Sequence, residues 1–157
     1  MKNGLRVGIV GIVTDYVNIW EKEENLKGIH ITDPFEAAKN ALAQMKEQTD
    51  LTICIYHGGF ECDLESGAVL SKTTENVGYR ICKELDFDIL LTGHQHMSVP
   101  GRDISGTYTV QPCDNAKEYQ YLEVTMTDHE KSIRSELRQS DAAKGTVLAD
   151  KYRCLLY

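Results

Sequence analysis

Leu51-Thr52-Ile53-Cys54-Ile55-Tyr56-His57-Gly58-Gly59 is the stretch from which the fold can be read. Leu51–Tyr56 is a short, largely apolar and β-branched run without polar alternation. Such a run predicts a strand covered on both faces, as in the parallel sheet of an α/β domain. The two glycines after His57 stop regular structure. The pattern recurs on either side. Leu5–Val13 is a second apolar run, dominated by valine and isoleucine, and predicts a strand. Phe87–Leu91 is a third, ending in Thr92-Gly93-His94-Gln95-His96.

Helices are expected between these strands. In Thr32-Asp33-Pro34-Phe35-Glu36, Asp33 can cap, Pro34 suits the first helical position and Glu36 sits three residues past the cap. Phe35, Ala38, Leu42 and Met45 then fall on one face at helical spacing, with the helix fading near Gln48. Glu75–Leu85 reads as a second helix, with Val77, Ile81, Cys82 and Leu85 inward. The segment with Trp20 and Glu21–Glu24 reads as a solvated turn. After Pro100-Gly101, Thr107–Val110, Tyr119–Thr127 and Ser132–Leu137 look like antiparallel strands, with Leu122, Val124 and Met126 on one face. The expected class is α/β with a mixed sheet and flanking helices. Residues 1–138 read as one domain and 139–157 as a linker or terminal helix.

Composition narrows the function. The 157 residues carry 17 Lys+Arg against 24 Asp+Glu, a formal net charge of −7. With no basic block, the chain is not expected to bind a nucleic acid polymer, which requires cations to neutralise phosphates. No stretch approaches the roughly 18 consecutive apolar residues of a membrane helix. The amino terminus superficially resembles an export signal. Its apolar run covers only Val7–Val13, however, and no A-x-A-like site follows. The five cysteines, Cys54, Cys62, Cys82, Cys113 and Cys154, contain no C-x-x-C pair. They read as free thiols of a reduced, cytoplasmic compartment, acting as small hydrophobes.

Three of the five histidines follow predicted strands in glycine-containing loops: His57, His94 and His96. Ligand sites of open α/β sheets lie at the carboxyl ends of the strands. Neutral imidazole is a ligand for transition metals. His30 reads as part of a short strand and His129 as a turn residue, both with ordinary structural roles. Glu61 and Asp63, though near His57, read as solvated loop charges.

Tyr56-His57-Gly58-Gly59-Phe60-Glu61, followed by Leu90-Leu91-Thr92-Gly93-His94-Gln95-His96, resembles the second half of the calcineurin-like metallophosphoesterase fold. More narrowly it resembles the bacterial 5′-nucleotidase and 2′,3′-cyclic-nucleotide 2′-phosphodiesterase family. Val7–Thr14, Ile19-Trp20-Glu21-Lys22, Asn25-Leu26-Lys27-Gly28 and Asp33–Ala38 add to the likeness, which covers residues 4–127. The resemblance implies part of a four-layer α-β-β-α sandwich and hydrolysis of a nucleotide or cyclic nucleotide phosphate. It also implies two divalent ions (manganese, zinc, iron or similar), with His57 and His94 on one and His96 on the other. Gly58 and Gly59 would keep the phosphate approach open. The family is often exported.

The family's D-x-H, G-D and G-N-H-E/D motifs do not occur in the 157 residues. The expectation is therefore a partial domain holding one metal ion or none, inactive alone and without catalytic residues of its own. The alternative is a non-catalytic binding or complementing module. Two helices can cover only one side of three apolar strands, so an uncovered sheet face and self-association through it are expected.

Overall fold

The computed structural model describes residues 4–127 and 130–140. The elements run β1 (Val7–Val13), α1 (Val17–Trp20), α2 (Pro34–Met45), a 3-10 turn (Lys46–Gln48), β2 (Leu51–His57), α3 (Gly78–Glu84), β3 (Ile89–Thr92), β4 (Val99–Ile104), β5 (Thr107–Gln111), β6 (Glu118–Met126) and β7 (Lys131–Gln139). Five strands form one sheet in the order β1-β2-β3-β5-β4, and β6 pairs with β7 in a separate hairpin. β1, β2, β3 and β5 are parallel, while β4 runs antiparallel to β5. The mixed α/β class is as expected. The tail from residue 141, with Cys154, and His129 lie outside the described residues.

The helix signals at Asp33 act as read: its carboxylate accepts from the Glu36 amide at 2.9 Å, and Pro34 opens α2. Phe35, Ala38 and Leu42 are buried against Cys54 and Tyr56 of β2 and against Ile81 and Cys82 of α3. Three cysteines, Cys54, Cys62 and Cys82, are buried free thiols.

Several boundaries moved because side chains took the place of ladder or helix bonds. α3 starts at Gly78, not Glu75. The Glu75 carbonyl is taken by Thr14 Oγ1 at 2.7 Å and the Tyr56 hydroxyl at 3.1 Å, and the Gly78 amide donates to the Gly59 carbonyl. β3 starts at Ile89, not Phe87, because the Asp88 carboxylate takes the Thr52 amide at 2.7 Å. β4 was unforeseen. Pro100-Gly101 reads as a break but lies in a register shift between Val99 and Arg102 on an edge strand, where a missing donor is tolerated. α1 replaces the expected turn at Trp20. His30, expected in a short strand, is exposed and in no regular element.

The helices cover one face of the sheet. On the other, Ile9 opposes Ile53, which opposes Ile89, which opposes Tyr108. The hairpin reaches this face: the Tyr108 hydroxyl bonds Ser135 Oγ at 2.8 Å, and Lys131 pairs with Asp88. There Ile89 and Val110 are only 2% exposed, whereas Ile9 is 61% and Ile55 46% exposed. Among the described residues, the large apolar side chains exposed on this face are thus on β1 and β2.

Candidate functional site

β2 and β3 are adjacent and parallel, with Tyr56 opposite Thr92, so the loops bearing His57 and His94 leave the same end of the sheet. The loops are tied together. The Gly93 amide donates to the Gly58 carbonyl at 3.2 Å. Gln95 clamps the Phe60 backbone twice, accepting from its amide at 2.8 Å and donating to its carbonyl at 3.0 Å. A Cβ on Gly59 would lie 2.1 Å from Gln95 Oε1, and one on Gly58 would lie 2.0 Å from Tyr56 Cζ. The space that each glycine frees is occupied by Gln95 and Tyr56.

His57 and His94 meet, with ring centroids 5.4 Å apart and planes at 57°. Trp20 stacks on the His94 ring at 5.1 Å and 29°, and Tyr16 meets Trp20 edge-on at 5.6 Å. Glu75 Oε1 lies 2.9 Å from His94 Nε2. His96 is exposed. The Asp114 carboxyl is held below the usual value mainly by the hydrogen bond from Lys117. His94 and His96 both have left-handed backbones, φ 70° and 56°. For non-glycine residues such conformations carry strain and concentrate at functional loops.

The neighbouring carboxylates have structural tasks. Glu61 is no solvated charge: it accepts from the Tyr79 amide at 3.0 Å and the Arg80 amide at 2.7 Å, capping α3. Burial nevertheless pushes its carboxyl above the ordinary value. Asp63 is held low by Ser66, whose hydroxyl and amide close a tight turn on it. Asp15 accepts from Thr74 Oγ1 at 3.1 Å, and its Oδ1 is buried without a hydrogen-bond partner among the described residues.

Imidazole pairs of this kind suit divalent transition metals by donor type. Among the described residues, however, no three His, Cys, Asp or Glu side chains form a group able to hold a metal ion. The donors fit part of a metal site and do not close one. Sequence reading found the histidines and missed Trp20, Glu75 and Gln95. The polar run Thr73-Thr74-Glu75-Asn76 ahead of α3 was the available signal: Asn76 accepts the Gly59 amide at 2.7 Å as Glu75 meets His94.

No family model matches the chain. It is 29% identical over 103 residues to a 2′,3′-cyclic-nucleotide 2′-phosphodiesterase/3′-nucleotidase of Salmonella typhimurium, covering 64% of this chain and 15% of that protein. It is 30% identical over 105 residues to a trifunctional nucleotide phosphoesterase of Bacillus subtilis, covering 65% of this chain and 7% of that protein. A solved Staphylococcus aureus structure, described as a 5′-nucleotidase in complex with alpha-ketoglutarate, superposes with a TM-score of 0.86 at 29% identity. It matches 99% of this chain and 32% of its own. The chain is thus similar to bacterial 5′-nucleotidases and 2′,3′-cyclic-nucleotide 2′-phosphodiesterases. Its fold is of the metallophosphoesterase type. It spans less than a fifth of the length of these two nucleotide phosphoesterase relatives. No helix among the described residues is long and apolar enough to cross a membrane.

Proposed function

We propose that this chain supplies the histidine-bearing part of a divalent-metal phosphoesterase centre acting on nucleotides, of the 5′-nucleotidase or 2′,3′-cyclic-nucleotide 2′-phosphodiesterase kind. Residues 1–138 are one partial metallophosphoesterase domain. His57 and His94 serve one ion and His96 a second, with Gly58 and Gly59 bordering the phosphate approach. A bound divalent ion would supply Lewis acidity toward a phosphoryl oxygen. The chain's own residues hold the loops: Gln95 locks the Gly59–Phe60 segment, Trp20 stacks against His94, and Glu75 meets its Nε2. The observation that carries this reading is the 5.4 Å meeting of the His57 and His94 rings at the ends of adjacent parallel strands.

Trp20 is the only tryptophan, and it stacks on His94 at 5.1 Å. Its fluorescence therefore reports occupancy. Titration with Ni²⁺ is expected to quench it saturably in the wild type and not in His57→Ala. Saturable quenching that survives His57→Ala refutes the assignment.

The absence of a three-donor group among the described residues favours a complementing role over independent catalysis. The 157-residue chain is expected to give no appreciable turnover of bis-p-nitrophenyl phosphate with Mn²⁺. Robust turnover lost on His94→Ala would show a site complete in this chain. The exposed Ile9 and Ile55 face is the surface through which self-association is proposed. A monomer of 17.7 kDa in sedimentation equilibrium, at tens of micromolar on the order used for weak dimers, would refute that part.

A further inference from the structure

His94 is held from three sides. Trp20 covers one ring face, His57 packs against it at an angle, and Glu75 Oε1 meets Nε2 at 2.9 Å. An ionised carboxylate can only accept a hydrogen bond, so the proton of this pair sits on Nε2. In the neutral ring the free lone pair is then on Nδ1. Glu75 is itself immobilised through its backbone, whose carbonyl takes both Thr14 Oγ1 and the Tyr56 hydroxyl. The next residue, Asn76, holds the Gly59 amide. A partly buried carboxylate (32% exposed against 20% for the imidazole) is thus carried to His94 by a fixed backbone. Histidine ligands in metal sites commonly donate their second N–H to such a group, which sets tautomer and ring orientation.

We propose that Glu75 is a positioning residue: its carboxylate fixes His94 as the Nε2–H tautomer and leaves Nδ1 as the ring's donor atom. The proposal rests on the reading of His94 as a metal ligand for its use, but not for its test. Because the anchoring bonds of Glu75 come from its backbone, Glu75→Ala and Glu75→Gln should leave the fold intact, checked by circular dichroism.

The test is proton-nitrogen NMR on the ¹⁵N-histidine-labelled full chain, at a pH where imidazole is neutral. The wild type is expected to show one downfield ring N–H, protected from solvent and coupled to His94 Nε2. Glu75→Gln, which keeps an acceptor oxygen, should retain it. Glu75→Ala should lose it to solvent exchange. Ni²⁺ affinity, read by Trp20 quenching, should fall about 10- to 100-fold in Glu75→Ala and much less in Glu75→Gln. A protected proton on Nδ1, or an Nε2–H unaffected by Glu75→Ala, overturns the proposal. If no Ni²⁺ binds to the wild type while the Nε2–H behaves as stated, the metal-site reading fails and the positioning role stands.

Discussion

Replacing Gly59 with alanine should destabilise the chain, and removing Gln95 should remove most of that cost. The three atoms nearest to a Cβ at Gly59 all belong to the Gln95 side chain: Oε1 at 2.1 Å, Cδ at 2.2 Å and Cγ at 2.4 Å. Gly59 does not have a positive φ, so alanine meets no backbone penalty there. Gln95→Ala alone deletes two bonds to the Phe60 backbone, at 2.8 and 3.0 Å, at about 1 kcal/mol each. Gly59→Ala alone forces Gln95 out, losing those bonds and adding overpacking, for a total of about 2–3 kcal/mol. In the double variant the clash has gone, and alanine should add nothing to the roughly 2 kcal/mol of Gln95→Ala, because it also restricts the unfolded chain. The coupling energy is therefore expected at about 2–3 kcal/mol. Urea unfolding followed by circular dichroism, with all four proteins at equal m-value, measures it. Costs that add to within about 0.5 kcal/mol would show that the two loops are not locked through this contact.

Arg6 donates to both Asp50 carboxylate oxygens, from its backbone amide and its guanidinium, each at 2.8 Å, and the Asp50 pKa falls to about 2. A lowered carboxyl stabilises above its unfolded value of 3.8 and loses that contribution as pH falls toward 2; a carboxyl-carbon NMR titration with its midpoint near 4 would refute the pairing. Burial pushes the Cys54 thiol up from 9.0 to about 12. Its contribution is intact below pH 9 and declines toward pH 12, and iodoacetamide should label it only with global unfolding, so rapid native-state labelling by mass spectrometry contradicts the packing. His96 is exposed with φ 56°, and relief of a left-handed backbone, worth about 1–2 kcal/mol, exceeds or matches the entropy cost of glycine, about 0.5–1 kcal/mol. His96→Gly should therefore leave the melting temperature unchanged or raised, and a clear drop would mean that the side chain has structural work.

The apolar runs determined β1, β2 and β3, and Asp33-Pro34 with Glu36 determined the start of α2. In each case the cause is local: side-chain shape, burial pattern and capping chemistry act between residues a few positions apart. For the same reason His57 and His94 could be placed at strand ends, since a strand followed by glycine is a local signal. The tertiary structure decided what involves distant partners. Asp88 replaces a ladder bond at Thr52, and the Glu75 carbonyl is taken by Thr14 and Tyr56, which delays α3 to Gly78. Pro100-Gly101 becomes a bulge only because β5 lies beside it. Trp20 and Glu75 reach His94 from sequence distances at which no periodicity connects them. The hairpin likewise covers Ile89 and leaves Ile9 open, because Tyr108 and Asp88 bond Ser135 and Lys131 across the face while β1 lies at the far edge of the sheet. Hydrogen bonds and packing between distant segments are set by how the chain closes on itself, and that closure leaves no mark in a local pattern.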